Sequence, residues 1–87
     1  MNSRKFVDCV EERLRPFSPI LAISTVKMEL GMVGATKENL TPEQALKFIN
    51  RVCGVFKIFL SDEYIKKLKA DMLIDLRKYA PEYFKSR

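Results

Sequence analysis

The chain has 87 residues and a mass of 10.1 kDa, enough for one domain with a modest core and too little for a second domain or a deep catalytic cavity. Its 47% apolar and 31% charged residues exclude a disordered chain, and the absence of histidine removes the commonest general base and metal ligand. The net charge of +5 favours acidic partners, but residues 1–15, 16–35, 36–60 and 61–87 carry +1, 0, +2 and +2, so no basic block stands out and an ordinary solvated surface is expected.

Four helices are predicted in chain order. Ser3 caps a first helix over residues 3–15, which Pro16 ends, with Phe6, Val7, Val10 and Leu14 at helical spacing. Ser18 followed by Pro19 starts a second helix over 19–33, and Gly34 supplies its left-handed stop. Residues 37–40 form an isolated turn. Thr41, Pro42 and Gln44 make a capping box for a third helix over 42–60. Ser61 caps a fourth over 62–80, with Asp62 and Glu63 in the first turn, where the helix dipole favours anions. Pro81 ends it and leaves a short tail, 81–87. No strand alternation, hairpin turn, repeat or glycine-rich loop competes, so the fold class is all-α: a small four-helix bundle-like domain with short connections.

Helical faces sharpen this picture. The third helix is apolar over about half its circumference (Ala45, Leu46, Phe48, Ile49, Val52, Cys53, Val55, Phe56, Phe59 and Leu60), which marks it as the core element. The fourth buries Tyr64, Ile65, Leu68, Met72, Leu76 and Tyr79, while Asp62–Lys66 and Glu63–Lys67 pairs make its outer side a solvated face. The second is the anomaly. Ala22, Ile23, Val26, Leu30 and Val33 form one apolar stripe, and Leu21, Met28 and Met32 a second on the opposite side. Such a helix must be covered on both sides, either inside the monomer or by another chain.

The chemistry of catalysis is not visible. Cys9 and Cys53 lie among valines, 44 residues apart, and read as reduced, buried and inert thiols. The carboxylate pairs Glu11–Glu12, Asp62–Glu63 and Asp71–Asp75 fall on exposed, salt-bridged faces rather than in an apolar pocket. Neither a cofactor nor a metal is implied, and the chain is not expected to be an enzyme. Residues 1–15 are charged throughout and the longest uncharged stretch, 16–26, is too short to span a bilayer, so a cytoplasmic protein is expected.

Three binding readings remain. The leading one is a non-catalytic helical interaction module, regulatory or adaptor-like. It self-associates as a homodimer or docks on another protein through Leu21, Met28 and Met32, with Ile58 beside Gly54 as a secondary patch. The alternative is a small basic nucleic-acid-binding protein using the polar face of the third helix. There Lys47, Arg51 and Lys57 track phosphates and Asn50 reaches a base edge, unless acids on neighbouring helices balance this face. A membrane-surface role for Tyr79, Tyr83, Phe84, Lys85 and Arg87 is weakened by Pro81, and the tail is expected to fold back on the bundle instead.

Overall fold

Each long helix begins where the chain offers a side-chain oxygen to its first unpaired N–H groups. In the computed structural model, which describes residues 1–85, the helices are α1 (Ser3–Leu14), α2 (Pro19–Met32), α3 (Pro42–Phe56), α4 (Asp62–Tyr79) and α5 (Pro81–Lys85). No strand occurs among the described residues, and the all-α, bundle-like class holds. Ser18 accepts from the Leu21 N–H at 3.2 Å and Ser61 from the Tyr64 N–H at 3.3 Å. Thr41 and Gln44 close the reciprocal capping box, with the Gln44 N–H on Thr41 Oγ1 at 3.2 Å and the Thr41 N–H on Gln44 Oε1 at 3.0 Å. Gly34 adopts φ 74°, the left-handed stop after α2.

Three local expectations change. Asn2, not Ser3, caps α1 by accepting from the Lys5 N–H at 3.2 Å. Ser3 is buried, donating to the Lys37 carbonyl at 2.7 Å and accepting from the Leu40 N–H at 2.9 Å, because the 33–41 connection has backbone groups that need partners inside the fold. The helix expected over 42–60 ends at Phe56. The Phe59 and Leu60 N–H groups both converge on the Phe56 carbonyl at 3.0 Å, which tightens the chain into a turn and sets up the Ser61 cap. Residues 81–85 form a short fifth helix rather than an irregular tail, with Tyr83 and Phe84 packed against the core; residues 86–87 of the expected tail, including Arg87, lie outside the described residues.

The helices form a ring in which α1 packs on α2, α2 on α3, α3 on α4 and α4 on α1. The Gln44–Val33 and Arg51–Glu29 contacts run α2 and α3 antiparallel, as Cys9–Tyr79 and Arg13–Asp75 do for α1 and α4. At the centre Phe6 meets Phe48 edge-on at 6.4 Å, among the fully buried Leu14, Ile49, Phe56, Met72 and Leu76. Phe17, in the α1–α2 connection, closes one end by packing on Phe56 and Tyr64. The radius of gyration of 12.1 Å equals the roughly 12 Å expected for a close-packed chain of this length.

Candidate functional site

The predicted interaction residues fall where α2 faces outward. Met28 and Met32 are 58% and 61% exposed, and Leu21, half-buried, packs against the core on the same flank. Neither methionine is sandwiched within the monomer. Ile23 departs from its expected core role: it is 48% exposed, because α2 sits at a corner of the ring and turns inward the face that carries Ala22, Thr25, Val26, Glu29 and Leu30. Ile20, at the start of the helix, is 82% exposed. Ile20, Ser24, Lys27 and Gly31, all exposed, form the outward centre of the helix, bordered by Ile23 on one edge and by Met28 and Met32 on the other. Ile58 is 81% exposed but lies in the turn after α3 rather than on the helix beside Gly54. The antiparallel pairing puts it, with exposed Phe59, at the same end as Ile20.

The two predicted residue sets partly meet. Met32, Val33 and Gly34 of the α2 end, with Gln44, Lys47, Asn50 and Arg51 of α3, line an open surface depression of about 610 Å³. Lys57 is not among its lining residues. Arg51 is committed elsewhere: its Nε donates to Glu29 Oε1 at 2.8 Å, and that carboxylate is 3% exposed. Glu29 was not singled out by periodicity, since it lies among the polar residues of α2. A buried carboxylate requires a cation, and Arg51 reaches across from α3 to supply it.

A second buried ion pair joins α1 to α4. Arg13 grips Asp75 with Nε at 2.5 Å and Nη2 at 2.8 Å, and Asp71 lies 3.8 Å away. The expectation that this carboxylate pair is exposed is corrected: Asp75 is buried, because its helical position turns it toward α1. The Asp75 hydrogen bond holds the Arg13 guanidinium's pKa above its ordinary value, so the site is a fixed charge pair. Cys53 is buried and burial pushes its thiol up, with Lys69 pulling weakly the other way, in line with an unreactive side chain. Cys9, expected to be buried, is only half-buried because it sits on the α1–α4 seam, where its thiol donates to the Tyr79 hydroxyl at 3.7 Å. No cluster of three metal-ligating side chains occurs among the described residues, and no helix is long and apolar enough to cross a membrane. Compared with known proteins, the chain matches no family model, no curated protein and no solved structure.

Proposed function

We propose that this chain is a non-catalytic helical interaction module that pairs through the outward flank of α2, with a second copy of itself or with another helical protein. One observation carries the reading: Ile20, Ile23, Met28 and Met32 all expose apolar surface on a single 14-residue helix that has no neighbour on that side among the described residues. Scattered apolar residues are ordinary on a protein surface, whereas four on one helix form a strip about 18 Å long, the geometry of a helix-packing face. Exposed Ser24 and Gly31 between the two edges let a partner backbone come close, and methionine side chains adapt to what they meet. The strip is short of the ~800 Å² per partner typical of stable complexes, so the association belongs to the weak, reversible class.

Light scattering after gel filtration tests this. A mass that rises with concentration into the high micromolar range, and falls back to 10.1 kDa for Met28→Glu with an unchanged helical circular-dichroism spectrum, supports self-pairing. A constant monomer mass leaves only a different protein as partner. Met28→Glu that unfolds the chain removes the basis for any docking role. The alternative, a nucleic acid on the polar face of α3, has less support: Arg51 is tied to Glu29 and Lys57 stands apart from Lys47 and Asn50.

A further inference from the structure

The outer side of α4 carries Lys66, Lys67, Lys69, Arg77 and Lys78, all exposed. Sequence spacing predicts ion pairs from Asp62 to Lys66 and from Glu63 to Lys67, yet none of these five cations makes an ion pair among the described residues. The other two acids of the helix, Asp71 and Asp75, turn to Arg13. Asp62 and Glu63 stay in the first turn, so between Lys66 and Lys78 the outward face is cationic.

At 3.6 residues per turn the cations fall in two rows. Lys66, Lys69 and Arg77 lie on one flank, Lys67 and Lys78 on the other, with exposed Ala70 and Ile74 between them. Lys85 extends the first row, lining a depression with Arg77, Pro81 and Phe84, and the Arg77 guanidinium rests 5.4 Å from the centre of the Phe84 ring.

We propose that this face binds duplex DNA, with α4 lying along the major groove and its two rows of cations on the phosphates of the opposite walls. A helix of 10–12 Å diameter fits a groove about 12 Å wide. Lys66 to Lys78 spans roughly 18 Å, so the cations reach several successive phosphates on each wall of the groove. The strip between the rows is small and apolar and has no amide or hydroxyl to read base edges, so binding is tolerant of sequence. A-form RNA is disfavoured because its major groove is too narrow for a helix. A lipid surface is disfavoured because Ala70 and Ile74 offer too little apolar area to insert.

The test is anisotropy of a labelled 20-base-pair duplex titrated with the full chain between about 50 and 200 mM salt. Five phosphate contacts give a log–log salt slope of about −4 to −5. Combined Lys66→Ala, Lys67→Ala, Arg77→Ala and Lys78→Ala substitution should flatten that slope by about 3 to 4 and weaken binding at least tenfold at low salt. Arg4→Ala, Lys5→Ala, Lys47→Ala and Lys57→Ala together remove the same charge from other surfaces and should change the slope by less than one. The pair Lys66→Glu and Lys67→Glu, which leaves the Arg77–Phe84 contact alone, guards against misfolding and should weaken binding as well. Equal losses in the two four-residue sets, no binding at 50 mM salt, or binding to anionic phospholipid vesicles but not to the duplex overturns the proposal.

Discussion

Thr25 is 1% exposed and its hydroxyl has no hydrogen-bond partner among the described residues. A buried hydroxyl without a partner costs about 1–3 kcal/mol, and valine has the same shape without it. Thr25→Val is therefore expected to stabilise the fold by about 1 kcal/mol and raise Tm by roughly 4–8 °C, which a thermal melt followed by circular dichroism checks. A lower Tm would mean that the hydroxyl is satisfied in solution. Thr25 lies on the flank of α2 that faces α3, close in sequence to Glu29, and both are polar residues that a helical wheel assigns to the surface. Burial of this kind is set by the neighbouring helix and cannot be seen in one helix's own spacing. Ser3 illustrates the same limit: its place before an apolar run reads as a cap, yet its partners at Lys37 and Leu40 are more than 30 residues away.

Helix starts were legible because capping is local. Ser18, Thr41 and Ser61 each bond an N–H three residues on, and Gly34 takes the positive φ its position calls for. Thr41→Ala removes one half of the capping box, so a loss of about 1 kcal/mol is expected, measured as a lower urea midpoint with an unchanged slope. The same midpoint as the parent chain would show that Pro42 and Gln44 fix the start of α3 without the threonine. Helix ends were less legible. The apolar run through Leu60 continues the periodicity of α3, but the chain leaves the helix at Phe56, where two N–H groups meet one carbonyl. Ile23 shows why α2 was read only in part: its angle on the wheel borders the core stripe, and whether it is covered depends on how far α1 reaches around the corner. The spacing of Met28 and Met32 leaves open whether they are covered within the monomer; they are exposed, since no packing inside so small a ring covers two sides of a peripheral helix.

At the scale of the molecule, the even charge along the chain concealed an uneven charge in space. Arg4, Arg13, Arg15, Lys37 and Arg51 find carboxylates across or along helices, while the α4 cations find none among the described residues. Segment sums could not show this, because Arg13 neutralises the acids of a helix nearly 60 residues away. The ring also fixes how the two proposed surfaces relate. Both α2 and α4 pack on α1 and α3, so they stand diagonally and their outer sides face away from each other. Pairing through α2 therefore leaves both α4 faces open but points them in opposite directions, so a dimer engages one duplex through one cationic strip at a time. That geometry forbids simultaneous engagement of one duplex by both strips, so pairing adds no avidity there. Met28→Glu is accordingly expected to leave duplex binding little changed even at protein concentrations where the parent chain is dimeric. At dilute, monomeric concentrations it should leave the salt slope within about one unit, the size of a single phosphate contact. Parallel titrations of the two proteins across the monomer–dimer range check this. A changed slope at the dilute end would place Met28 at the DNA contact and show that the two surfaces are not independent.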